Sequence, residues 1–191
     1  MKKDIILCGV GGQGILSIAT IIGEAAMQAG LQIKQAEVHG MSQRGGDVQS
    51  HLRISDRPIH SDLIPEGGAD VIISMEPMEA LRYVSYLHAD GWVITSSVPF
   101  VNIPNYPAEA DIRAALARLP HMVSIDIDQL AKDSGMPRSA NMVLLGAAAQ
   151  AIGIGYSQLE AAISHVFARK GAAVVEANIR ALALGKQSSG L

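Results

Sequence analysis

Residues 8–15 read Cys-Gly-Val-Gly-Gly-Gln-Gly-Ile and sit between two apolar runs. The run before, Ile5-Ile6-Leu7, reads as a short buried strand. The run after, Ile15-Leu16-Ser17-Ile18-Ala19, reads as the first turns of a helix. Gly9, Gly11 and Gly14 have the G-x-G-x-x-G spacing of a strand-to-helix turn that brings backbone N–H groups close to an anion. Such a turn demands positive φ, and a Cβ would block close approach of a phosphate or of another backbone. A dinucleotide-binding turn has one further requirement, an acid at the end of the second strand about 20 residues on, for the ribose hydroxyls. Here that strand reads Leu31-Gln32-Ile33-Lys34-Gln35-Ala36-Glu37. Glu37 comes a few residues late and Lys34 has the wrong charge for NAD. A weaker anion site, or a turn packed tightly on a neighbour, fits better than an NAD(P) site.

Composition narrows the rest. A chain of 191 residues is long enough for one well-formed core. With 49% hydrophobic and only 4% aromatic residues, that core is aliphatic. A net charge of −3 and no Lys/Arg stripe argue against nucleic acid as a partner. The single cysteine, Cys8, excludes an intrachain disulfide and a four-cysteine iron–sulfur or zinc site built by this chain alone. The histidines show no H-x-x-x-H spacing, so no metal site is readable. The N-terminal apolar run, 5–10, is too short for a signal peptide. The longest apolar stretch, 142–154, is interrupted by Gln150 and too short to span a bilayer. These features predict a cytoplasmic protein with no membrane partner.

Strand and helix patterns alternate along one domain, residues 1–185, followed by a Ser/Gly-rich tail, 186–191, expected to be disordered. The first helix is predicted over 13–28, with Ile15, Ile18, Ala19, Ile22 and Ala26 as its buried stripe and Gly30 ending it. A second strand over 31–38 implies a parallel pair with the first. Residues 47–55 alternate strictly, as an antiparallel edge strand does, and 59–64 is a further short strand. Strands over 69–74, 91–95 and 122–125 follow, with helices over 77–87 and 108–119. Asp128 is expected to cap a short helix ending at Gly135. The C-terminal part is helical: 142–151 is apolar around most of its circumference, Ser157-Gln158-Leu159-Glu160 is a capping box, and 172–184 closes the domain. The predicted fold class is a three-layer α/β domain with a mixed, mainly parallel sheet, a Rossmann-like start and a helical C-terminal end.

Two loops stand out as candidate sites. The glycine turn leaves the carboxyl end of the first strand, and His39-Gly40-Met41-Ser42-Gln43-Arg44-Gly45-Gly46 leaves that of the second. If those strands are adjacent, both loops share one crevice, where ligands of α/β sheets bind. His39 suits an acid–base role, Ser42 and Gln43 hydrogen bonding, and Arg44 an anion clamp. Gly9, Gly11, Gly12, Gln13 and Gly14 are the matching candidates of the turn. Against this stands a plain solvated glycine-rich hairpin. Asn141, at the head of the apolar helix, reads as a cap unless a ligand lies there. Cys8 reads as a small core hydrophobe.

The stretches 8–15, Glu-Val-His-Gly-Met-Ser-Gln-Arg-Gly-Gly at 37–46, and Ala-Asn-Met-Val-Leu-Leu-Gly-Ala at 140–147 occur together. This combination resembles the gamma subunit or domain of the 2-oxoacid:ferredoxin oxidoreductases, and the form of 39–46 resembles the indolepyruvate branch, in its small beta subunit. The likeness covers about residues 4–184. It implies oxidative decarboxylation of a 2-oxoacid on thiamine diphosphate, with electrons passing through iron–sulfur clusters to ferredoxin and the acyl group to coenzyme A. It places thiamine diphosphate, Mg and the clusters in a large partner subunit, so this chain binds none of them alone and works as part of a hetero-oligomer. Loops 9–14 and 39–46 are then expected to complete the substrate or coenzyme A side of the site. The rivals are a free-standing NAD(P)-binding oxidoreductase and a non-catalytic scaffold subunit.

Overall fold

The chain folds around β1 (Lys2–Val10), whose seven residues from Asp4 to Val10 are all buried. The computed structural model describes residues 1–38, the backbone of His39, and 45–191. Side chains alternate across a strand. Ile5 and Leu7 therefore enter one core, with α1 (Ile15–Gln28), α4 (Ile127–Asp133), α5 (Ala140–Ile152) and α6 (Tyr156–Phe167). Ile6 and Cys8 enter the other, under α2 (Pro77–Arg82) and α3 (Glu109–Leu116). With α7 (Ala172–Ser188) packed outside α5, this is the expected three-layer α/β domain.

The sheet order is β2-β3-β1-β4-β5-β6, formed with β2 (Gln32–His39), β3 (Asp47–Ser55), β4 (Ala69–Ser74), β5 (Leu87–Ser96) and β6 (Met122–Ile125). β1, β4, β5 and β6 pair in parallel, while β3 pairs antiparallel with both β1 and β2. The expected parallel pair of β1 and β2 is therefore absent. β3 is inserted between them, antiparallel as predicted but interior rather than at the edge.

The polar face of β3 explains this position. Arg53 grips the buried Asp4 opposite it on β1 through Nε–Oδ1 at 2.7 Å and Nη2–Oδ2 at 3.0 Å. Its Nη1 donates to the carbonyls of Ser61 and Leu63. His51 Nδ1 accepts the Ile64 N–H at 3.0 Å. The backbone of 59–64 is thus tied to β3 by side chains, and the strand predicted there does not form.

Other boundaries shift for local reasons. α2 stops at Arg82, and a single 3-10 turn (Val84–Tyr86) leads straight into β5. Asp126, not Asp128, caps α4 by accepting the Gln129 N–H at 2.8 Å. The box at Ser157 is not used: α6 begins at Tyr156, and Gln158 Oε1 accepts the Gly155 N–H at 3.0 Å. Gly30 ends α1 as expected, at φ 73°. α7 runs to Ser188, so the tail expected to be disordered is helical over 186–188. α5 is buried almost all round, and a Cβ at Gly146 or Gly185 would collide with the α7 or α5 backbone. None of the helices among the described residues is long and apolar enough to cross a membrane.

Candidate functional site

The glycine turn lies at the carboxyl ends of β1 and β4, where an α/β sheet presents its loops. Its shape is set mainly by its own residues. Gln13 N donates to Val10 O at 3.1 Å, and Gln13 Oε1 accepts the Val10 N–H at 2.7 Å. Gln13 Nε2 reaches Met75 O at 3.5 Å, and Met75 N donates to Cys8 O at 3.0 Å. The Gln13 amide is consumed in holding the turn.

The glycines divide by what surrounds them. A Cβ at Gly9 would lie 2.9 Å from Gln13 Oε1 and 3.1 Å from Met75 Cβ. A Cβ at Gly14 would lie 2.8 Å from Asn141 Nδ2, and Gly14 is left-handed at φ 88°. The chain's own side chains therefore pack tightly against the first and third glycines of the spacing, Gly9 and Gly14. Gly12 is left-handed at φ 105°, with nothing within 4 Å of its would-be Cβ. It is the open point of the turn.

The second loop meets this turn although β1 and β2 are not neighbours. Gly11 N donates to Gly46 O at 2.8 Å, and Gly45 N to Gly11 O at 3.4 Å. These bonds continue the β1–β3 ladder past its last pair, Val10–Asp47. The turn and residues 45–46 are thus brought together through β3 rather than through adjacency of β1 and β2. His39 ends β2, paired with Val48. Ser42, Gln43 and Arg44, and the side chain of His39, lie outside the described residues.

A third loop joins them, and it was not singled out from the sequence. Asn102 Nδ2 donates to Gly45 O at 2.8 Å. The loop that carries Asn102 is fastened by Glu76, which is fully buried. Glu76 Oε2 caps α2 by accepting the Glu79 N–H at 2.8 Å. Its Oε1 accepts the Phe100 N–H at 3.3 Å and the hydroxyl of Tyr106. The available signal was a Glu immediately before a Pro at a helix start, the place of an N-cap. Its second role depends on residues 24 and 30 positions away.

Asn141 is not the cap of α5; Ser139 holds that position. Its side chain instead donates from Nδ2 to Gly14 O at 3.3 Å. Three of the sequence motifs, 8–15, 45–46 and 140–147, therefore converge on one edge. Cys8 lies beneath it, fully buried, with Sγ 3.6 Å from Glu79 O. Burial pushes its thiol up to about 12, which leaves no thiolate for nucleophilic chemistry. Burial likewise raises the Glu79 carboxyl, against the opposing pull of Arg82, which pairs with it through two hydrogen bonds. Among the described residues, no cluster of three or more His, Cys, Asp and Glu is placed to hold a metal ion.

Residues 4–188 match the family described as pyruvate ferredoxin/flavodoxin oxidoreductase. The chain is 37% identical over 194 residues to the indolepyruvate oxidoreductase subunit IorB of Archaeoglobus fulgidus, covering 97% of this chain and 94% of that one. It is 40% identical over 162 residues to the subunit of the same name from Pyrococcus horikoshii, covering 80% of each. Among solved structures, its fold matches pyruvate oxidoreductase subunit PORC of Thermotoga maritima with a TM-score of 0.73 at 22% identity, over 98% of this chain and 96% of that one. It also matches 2-oxoglutarate:ferredoxin oxidoreductase from Magnetococcus marinus, with a TM-score of 0.78 at 23% identity. There it covers 98% of this chain but only 31% of the other, so the module forms less than a third of a longer polypeptide. The family match over nearly the whole length, together with the likeness to the IorB subunits, shows that this chain belongs to the pyruvate ferredoxin/flavodoxin oxidoreductase family, as an IorB-like subunit.

Proposed function

We propose that this chain is the thiamine-free, cluster-free small subunit of a 2-oxoacid:ferredoxin oxidoreductase acting on an aryl 2-oxoacid such as indolepyruvate. The observation that carries this reading is the near full-length likeness to subunits named for indolepyruvate oxidoreductase. The residues are compatible with it. One buried cysteine cannot supply the four thiolates of a cluster, so the clusters belong to a large partner subunit, together with thiamine diphosphate and Mg. That partner passes electrons to ferredoxin. Coenzyme A is the cosubstrate; the structural relative from Magnetococcus marinus is described with coenzyme A and succinyl-CoA bound. The domain spans residues 1–185, and the complex is cytoplasmic.

In this reading the chain's own task is to close one side of the partner's site. Residues 45–46, the described end of the second loop, meet the 9–14 turn at the carboxyl edge of the sheet, with Gly12 open and Gly45 bonded to Asn102. Ser42, Gln43 and Arg44 are the candidates for binding the partner or the cosubstrate's phosphates, and His39 is the acid–base candidate. Beside them, Val98, Phe100 and Val101 are exposed apolar side chains, Val101 at 70%. Docking on the large subunit covers them.

A panel of 2-oxoacids on the reconstituted complex tests the substrate class. Aryl 2-oxoacids should support coenzyme A-dependent viologen reduction far better than pyruvate or 2-oxoglutarate; equal or reversed preference would remove the aryl assignment. Arg44→Gln and His39→Ala should assemble normally but slow turnover. Normal turnover in both would leave a scaffold role. The NAD(P) alternative lacks the acid that a ribose requires at the end of the second strand, where Lys34 stands and Glu37 comes late.

A further inference from the structure

We infer that a cleft beside this edge, between the N-terminal ends of α1 and α5 and the start of α7, binds a phosphate group. The cleft measures about 550 Å³, within the range of small-molecule sites. Arg138 and Lys170 line it, and no Asp or Glu does. Neither cation forms an ion pair among the described residues; Lys170 Nζ rests 5.0 Å from the Phe167 ring centre, which holds it in place. Two long helices begin at its wall. α1 starts at the uncapped Gly14, and α5 at Ser139, and the Asn141–Gly14 bond keeps the two ends together. Ser17 N–H already donates to Gly14 O and Met142 N–H to Ser139 O, which leaves the two N–H groups ahead of each without an intrahelical acceptor, and the aligned peptide dipoles favour negative charge there.

A separate observation points to a ligand. Ser139 occupies the N-cap position, where a serine hydroxyl ordinarily accepts an N–H of the first turn. Here it makes no capping bond and has no other side-chain partner among the described residues. Ser139 is 5% exposed and lines the cleft. Among the described residues the buried polar atoms left unpaired are Asn102 Oδ1 and Tyr156 OH, so the Ser139 hydroxyl is reached from the cleft, where it is free to meet a ligand. Asn178, 7% exposed, lines the same cleft and uses only its Nδ2, toward Val174 O. Hydroxyl and amide donors, two unpaired cations and two helix ends form a set that suits a doubly charged tetrahedral oxyanion. The volume beyond one phosphate leaves room for an organic remainder. The site needs nothing from a partner subunit, so its failure would leave the proposed function standing.

The test is an amide chemical-shift titration of the full chain with sodium phosphate, against sodium chloride and sodium acetate at equal ionic strength. Phosphate should give saturable shifts at Ser139, Ala140 and Asn141 and at Ile15, Leu16 and Ser17. Arg138→Gln and Lys170→Gln, both at exposed positions, should each weaken binding by about tenfold, the loss expected for a hydrogen bond to a charged group. Ser139→Ala should weaken it while leaving the fold intact. Shifts no larger than those of chloride, equally tight binding of acetate, or undiminished binding in the double variant R138Q/K170Q would each overturn the proposal.

Discussion

Asn141, at the second position of α5, donates its side-chain amide to the carbonyl of Gly14, 127 residues earlier, at the entrance to α1. One hydrogen bond thus joins the glycine turn to the helix that carries the third sequence motif. Gly14→Ala would push a Cβ to 2.8 Å from that amide and place a side chain at φ 88°. It should destabilise the domain by about 1–3 kcal/mol. Adding Asn141→Ala should recover part of the loss, because it removes the collision but not the backbone strain. Urea unfolding of the two single variants and the double variant measures both terms.

Gly146 and Gly185 mark the closest approach of α5 and α7. A methyl group at Gly146 meets the Leu182 carbonyl, and one at Gly185 meets that of Val143. These are backbone atoms that cannot rotate away. Gly146→Ala and Gly185→Ala should each cost about 1–3 kcal/mol, although Ala favours a helix more than Gly does. Thermal melts should fall for both; an unchanged melt would mean that the helices separate freely.

His51 gives a pH dependence. Nδ1 accepts the Ile64 N–H, so the neutral ring carries its proton on Nε2, and the Gln49 amide beside it accepts that proton with its oxygen turned to the ring. Burial, and then the charge of Arg53, hold its pKa below the ordinary value. The unfolded chain therefore binds the proton first. The contribution of His51 is fully present above its unfolded pKa of about 6.5 and is lost as pH falls from there toward the folded value. His51→Gln should flatten the acid side of the stability profile between those two values, which equilibrium unfolding across that range would reveal.

Glu76 links α2 to the loop beside the candidate site. Glu76→Ala removes the N-cap, at a cost of about 1 kcal/mol. It also frees Tyr106 and the Phe100 amide. Hydrogen exchange should accelerate over 97–106 and at Glu79, with β1 unaffected. Tyr106→Phe should accelerate only the loop.

The sequence carried most of the element order, because apolar periodicity and glycine punctuation are local signals. The stripe Ile15, Ile18, Ala19, Ile22 and Ala26 is buried as read. The place of β3 was not legible. Its alternation looked like an edge because His51 and Arg53 are polar, and only their partners, Ile64 N–H and the buried Asp4, make them interior residues. The same holds at the site. The glycine spacing is visible, but not that Gln13 packs on Gly9 and Asn141 on Gly14. Asn102 and the Glu76–Tyr106 contact escaped notice because their partners lie 57 and 30 residues away.

The central claim, that this chain completes a partner's active site, is tested most directly by measuring 2-oxoacid- and coenzyme A-dependent viologen reduction. The assay compares this chain, the large cluster-bearing subunit and an equimolar mixture. The account predicts no turnover by this chain alone, little by the large subunit, and full activity in the mixture, with both chains eluting as one complex. Turnover by this chain alone, full activity of the large subunit without it, or failure of the two to associate would contradict it.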